Sequence, residues 1–114
     1  MLQNAPKLTC TKLETDCYSY MFCGCSALTS IPELPATILA DNCYRVMFWW
    51  CKDLSTPIYL PATNLAHNCY SNMFGSNGIP EIHYPKSLEN DSYFKSMGQY
   101  PRFGASGAKI FYDI

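Results

Sequence analysis

The chain predicts an α/β repeat fold: a short solenoid of about four turns, with parallel strands on one side and short helices on the convex side. Three observations lead there. The string Cys-Tyr-x-x-Met-Phe recurs at residues 17–22, 43–48 and 69–74, a period of 26 residues. Extended segments bounded by leucine, 28–34 and 54–60, recur at the same offset. A column of hydroxyl residues, Thr11, Thr37, Thr63 and Ser87, stands between each extended segment and the apolar pattern that follows it.

Each element has its own reason. Leu28-Thr-Ser-Ile-Pro-Glu-Leu34 and Leu54-Ser-Thr-Pro-Ile-Tyr-Leu60 carry prolines that forbid a helix, so they read as strands. The same prolines remove ladder donors and limit pairing to a few residues. Strands are expected to begin near Leu2, Leu28, Leu54 and Ile79. Thr11, Thr37, Thr63 and Ser87 read as helix N-caps, with Glu14 completing a capping box on Thr11. Leu39, Cys43, Met47 and Cys51, spaced by four, read as the buried stripe of the following helix, widened by Tyr44 and Phe48. The columns Tyr18/Tyr44/Tyr70/Phe94, Met21/Met47/Met73/Met97 and Phe22/Phe48/Phe74 keep large side chains through successive repeats, the mark of stacking between them. The repeats fall at about 2–27, 28–53, 54–78 and 79–98. Residues 99–114 break the pattern, and Lys109-Ile-Phe-Tyr-Asp-Ile114 reads as a closing strand.

Composition narrows the function. At 114 residues the chain is a single domain with a modest core. A net charge of -1 makes nucleic acid an unsuitable partner, because a phosphate binder needs a clustered basic face. No apolar run approaches the ~20 residues of a bilayer span. The start, Met-Leu-Gln-Asn-Ala-Pro-Lys, has neither the basic beginning nor the apolar core of a secretory signal.

Seven cysteines raise a disulfide scaffold or a metal site first. Five of them fall in two repeat columns, Cys17/Cys43/Cys69 and Cys25/Cys51 with Asn77 in the third place, which points to reduced core thiols. Only Cys10 and Cys23 stand outside. Cys23-Gly-Cys25 with Cys17 and a histidine lacks the paired spacing of a zinc site, and His67 shares a variable column with Thr15, Asp41 and Asp91. No nucleophile motif, phosphate-binding glycine loop or HExxH string occurs, so the chain reads as non-enzymatic and free of cofactor or metal.

The strings at 17–25 (Cys-Tyr-x-x-Met-Phe-x-Gly-Cys), 28–37 (Leu-Thr-Ser-Ile-Pro-Glu-Leu-Pro-Ala-Thr) and 60–70 (Leu-Pro-Ala-Thr-Asn-Leu-Ala-x-Asn-Cys-Tyr) resemble the BspA-type leucine-rich repeat family, over roughly residues 2–97. That resemblance implies a leucine-rich-repeat solenoid of the kind found on bacterial cell surfaces and in gut-phage proteins, with no catalytic motif. The Cys25/Cys51/Asn77 column matches the family's Asn/Cys position, a short polar group that satisfies backbone at the bend. Trp49, Trp50 and the shortened 75–78 stretch depart from the pattern.

Two candidate contact regions follow. Outward strand positions form a row of Lys7, Glu33, Tyr59 and His83, beside Asn4, Ser30 and Thr56, and this variable row suits ligand reading. Trp49 and Trp50 occupy columns that elsewhere hold Cys23/Gly75 and Gly24/Ser76, so they read as an exposed aromatic anchor for a protein or a surface glycan. The leading expectation is a binding or adhesion module, surface- or virion-associated. The alternative is a structural or decoration subunit of a larger assembly such as a phage virion, docked through an uncapped N-terminal edge.

Overall fold

The computed structural model describes Leu8, residues 11–75 and residues 78–114. The predicted beginning of a strand at Leu2, and Asn4, Lys7, Cys10, Ser76 and Asn77, lie outside the described residues.

Prolines set the lengths of the strands. β2 (Ile58–Tyr59) lies between Pro57 and Pro61, and β4 (Glu81–Tyr84) lies between Pro80 and Pro85. β5 (Lys109–Tyr112) joins them in a three-stranded parallel sheet of order β2-β4-β5. A second sheet is two residues deep, β1 (Phe48–Trp49) parallel to β3 (Phe74–Gly75). Helix is scarce: α1 (Ser92–Ser96) and a 3-10 turn at Lys86–Leu88.

The four-turn α/β leucine-rich-repeat solenoid is therefore not the architecture. Among the described residues, a few short strands in two small parallel sheets and one five-residue α-helix, within 38 × 29 × 22 Å, overturn it. The segment 28–34 forms no strand at all. Of the four hydroxyl N-caps none precedes an α-helix: Ser87 sits inside the 3-10 turn, and Thr11, Thr37 and Thr63 link backbone to backbone (Thr37 N–H to the Thr11 carbonyl, 3.1 Å; Thr63 N–H to the Thr37 carbonyl, 3.2 Å). The α-helix α1 is capped by Asp91, whose Oδ1 accepts from the Phe94 N–H at 2.8 Å.

What replaces the convex helices is a run of tight turns. Residues four apart take positive φ: Asp16 and Tyr20, then Asn42, Val46 and Trp50, then Asn68 and Asn72, with Gly24 at +77°. Between them the N–H groups alternate in destination. Odd-numbered residues bond three residues back, as Cys43 does to Ala40 and Met47 to Tyr44 (3.2 and 3.1 Å). Even-numbered residues reach the neighbouring segment, from Asp16 to the Asp41 carbonyl (3.0 Å) through Gly24 to that of Trp49 (2.8 Å), and again from Asn42 to His67 (2.9 Å) through Trp50 to Gly75 (2.8 Å). A residue four along an α-helix lies about 40° past one turn, so three such steps carry a stripe about 120° around the cylinder. Here each group of four residues closes its own turn, so Leu39, Cys43, Met47 and Cys51 all stay inward, at 6% exposure or less.

Stacked rings fill the core. Tyr18, Tyr44 and Tyr70 form one ladder with centroids 6.1 and 6.0 Å apart, and Phe22, Phe48 and Phe74 another at 5.5 and 6.0 Å. Phe94 and Phe103 close the far end of the Tyr ladder against Tyr84 and Tyr70. Gly104, at φ +102°, brings its α-carbon against the Phe74 carbonyl, where any Cβ would collide with backbone. Burial of these rings off water is the main stabilising term of the fold.

Candidate functional site

The three-stranded sheet sorts its side chains by the pleat. Ile58, Ile82 and Ile110 share one row on the core side, and Tyr59, His83 and Phe111 share the next. That outer row is a ladder of rings. The His83 imidazole lies between Tyr59 (4.5 Å between centroids, 21° between planes) and Phe111 (4.9 Å, 12°). Tyr59 remains 57% exposed and Phe111 36%, whereas His83 is 7% exposed.

Both ring nitrogens of His83 meet carboxylates. Nδ1 lies 2.9 and 3.0 Å from the two oxygens of Asp113, and Nε2 lies 2.9 Å from Glu81 Oε1. Burial alone pulls the histidine pKa down, but the Asp113 and Glu81 hydrogen bonds and charges outweigh it and raise the pKa above its ordinary value. The protonated ring donates from both nitrogens, which suits two acceptors better than the neutral ring, with its single donor.

Beside Tyr59 the surface opens into a cleft of about 580 Å³ between residues 30–35 and 56–61. The cleft follows from the sequence. Pro32 and Pro35 on one wall, with Pro57 and Pro61 on the other, cannot donate to a ladder, so the two segments leave a gap where pairing would otherwise close. Glu33, Ser30 and Thr56 add polar groups to an apolar lining of Ile31 and the prolines. Tyr59 forms part of the wall.

The sequence candidates divide between places. Glu33 and Tyr59 meet in the cleft, His83 lies behind Tyr59 in the ring ladder, and Lys7 is outside the described residues. Trp50 is 56% exposed, as an anchor requires. Trp49 is half-buried, its ring packed on Gly75 in the paired strand. The tryptophans therefore do not form one exposed pair. Residues that sequence reasoning missed are Glu81, Phe111 and Asp113. The closing strand at 109–114 carried the signal, because parallel pairing places Phe111 beside His83.

Of the five cysteines expected in the core, Cys17 is exposed and Cys25 half-buried, because among the described residues no segment packs over them as one does over their repeats; the other three have core roles. Cys43, Cys51 and Cys69 are fully buried and free, and burial pushes their pKa values up to about 12, 11 and 11. The Cys51 Sγ donates to the Phe22 carbonyl at 3.0 Å, the inward polar contact expected of that column. Among the described residues no group of three or more His, Cys, Asp or Glu side chains is placed to hold a metal ion, and no helix is long and apolar enough to cross a membrane.

Comparison of the chain with protein-family models, with curated proteins and with solved structures returns no match.

Proposed function

We propose that the protein is a non-enzymatic binding module that contacts a protein or surface glycan through the cleft at residues 30–35 and 56–61. The single observation that carries this reading is the open cleft with an exposed tyrosine in its wall. Tyr59 is held by stacking on His83, which is itself fixed by two carboxylates, so the ring is a rigid platform. A rigid aromatic loses little conformational entropy on binding and offers either a sugar face or an apolar side chain a stacking surface. Glu33, Ser30 and Thr56 supply hydrogen-bond partners beside it. The high thiol pKa values and the engaged nitrogens of His83 favour recognition over nucleophilic or acid–base chemistry.

The test is a screen of a glycan array and a displayed peptide library, followed by titration of whatever is retained. Tyr59→Ala is expected to weaken the retained ligand by about thirty-fold, the ~2 kcal/mol of an interface hot spot, at an unchanged melting temperature. Retained binding that ignores both Tyr59→Ala and Glu33→Ala overturns the reading.

The second reading, a structural subunit of a larger assembly, is favoured by a different observation: the outer face of segment 11–25 is uncovered among the described residues.

A further inference from the structure

The turn segments are joined by a directional set of backbone bonds. Each one gives the N–H groups of its even residues to the carbonyls of the next, so each presents donors on one face and acceptors on the other. At the C-terminal end the donor face is closed at two positions. The Phe74 N–H bonds the Phe103 carbonyl at 2.9 Å, the Asn72 N–H bonds Gln99 Oε1 at 2.9 Å, and the Gln99 amide returns a bond to Asn72 Oδ1.

The other end is different. The carbonyls of Thr15, Cys17, Ser19, Met21 and Cys23 are equivalent to the acceptors at Asp41, Cys43, Arg45, Met47 and Trp49, yet no backbone N–H among the described residues reaches them. The side chains agree. Met21 is 41% exposed while Met47 and Met73 are at 0%, and Cys17 is exposed while Cys43 and Cys69 are at 0%. The uncovered face thus repeats a surface that is buried twice inside the same molecule.

We propose that this face is a docking surface for a backbone segment of a second polypeptide, one that offers N–H donors at alternate residues and apolar side chains four apart, as residues 37–52 do. Continuity with the two internal interfaces argues for that occupant, and hydrogen-bond polarity argues against another. Two copies meeting through this face would oppose acceptor to acceptor, because both present carbonyls. A glycan offers no matching ladder of amide donors. The proposal rests on the open face that also favours the structural-subunit reading and is independent of the cleft reading: face, occupant and readout all differ from those of the cleft.

The experiment supplies the segment directly. Residues 37–52 are fused ahead of Met1, which keeps the 26-residue offset and gives a high effective concentration, and are also added in trans as a peptide. Alkylation of Cys17 is followed by mass spectrometry in the full chain, with buried Cys43 as the internal reporter of folding. The fused segment is expected to slow Cys17 alkylation at least tenfold, a scrambled segment to leave it unchanged, and Met21→Glu to restore it while Cys43 stays protected. Equal protection by the scrambled segment, or none from the fused one, overturns the proposal. So does Cys17 protection in the unfused chain that grows with its own concentration, because copies then cover the face themselves.

Discussion

Trp49 lays its indole across the α-carbon of Gly75, its register partner in the β1–β3 pair, so closely that a side chain at 75 would overlap the ring. The glycine is thus where the tryptophan packs, and one residue explains the other. Trp50 has no such support: it is exposed and held at φ +62°. The equivalent residue one segment earlier, Gly24, sits at φ +77°, where glycine carries no Cβ penalty.

Opposite outcomes are expected from the two tryptophans. Trp49→Ala removes a half-buried ring and should cost ~1–3 kcal/mol in denaturant melts. Trp50→Gly relieves a left-handed backbone and should change stability by less than ~1 kcal/mol, toward gain. Equal losses would mean that Trp50 packs as Trp49 does.

The methionine column separates inside from outside within one repeat position. Met47→Ala should cost ~2–5 kcal/mol as a buried large-to-small change, whereas Met21→Ala, at 41% exposure, should cost less than ~1 kcal/mol. Glu33→Ala in the cleft wall should stay within ~0.5 kcal/mol. Chemical denaturation of the three variants checks the order, and a Met21 loss matching that of Met47 would show the first segment to be covered in solution.

Inward columns were legible in the sequence for residues 43–51 and 69–74, where burial repeats with the period, but not for Cys17 and Met21, which are exposed. Cys43, Tyr44, Met47, Phe48 and Cys51 are all at 2% exposure or less. The backbone between them differs from the expected helix, since an apolar spacing of four alone does not specify one: a helix mixes threes and fours. Asn42 and Asn68 at one turn position hinted at left-handed backbone, but Val46 and Tyr20 at the next gave no such hint. For the candidate site, Glu33, Tyr59 and His83 stood in one predicted row. Asp113 could not be found that way, because its contact with His83 depends on how the last strand is laid down.

Two buried tyrosines should respond differently to losing their hydroxyls. Tyr84 donates to the Pro101 carbonyl at 2.6 Å, while the buried Tyr70 hydroxyl meets no hydrogen-bond partner among the described residues. An unpaired buried hydroxyl costs about 1–3 kcal/mol, so Tyr70→Phe should stabilise the fold, and Tyr84→Phe should cost ~0.5–1.5 kcal/mol. Thermal melts of the two variants decide it; a loss from Tyr70→Phe would mean that its hydroxyl is bonded after all.

Thiol reactivity should follow depth. Cys43, Cys51 and Cys69, held protonated by burial up to about 12, 11 and 11, should resist iodoacetamide at pH 8 in the folded protein, whereas exposed Cys17 and Cys23 should be modified. Peptide mapping after timed quenching gives the order, and early labelling of Cys43 would contradict the stacked core.

Stability should depend on pH through His83. Its folded pKa is raised, so the protonated ring stabilises the native state fully below the ordinary histidine value of about 6.5, and that contribution is lost as the pH rises through the higher folded value. The groups facing the ring are Glu81, Asp113, Tyr59 and Phe111; both carboxylates are more than a third exposed, so screening should hold the effect below ~1 kcal/mol. Urea midpoints measured from pH 5.5 to 8.5 should fall on the alkaline side of that window. Asp113→Asn should flatten the fall, because it removes one of the two carboxylates that favour the charged ring. A slope unchanged in Asp113→Asn would assign the titration to another group.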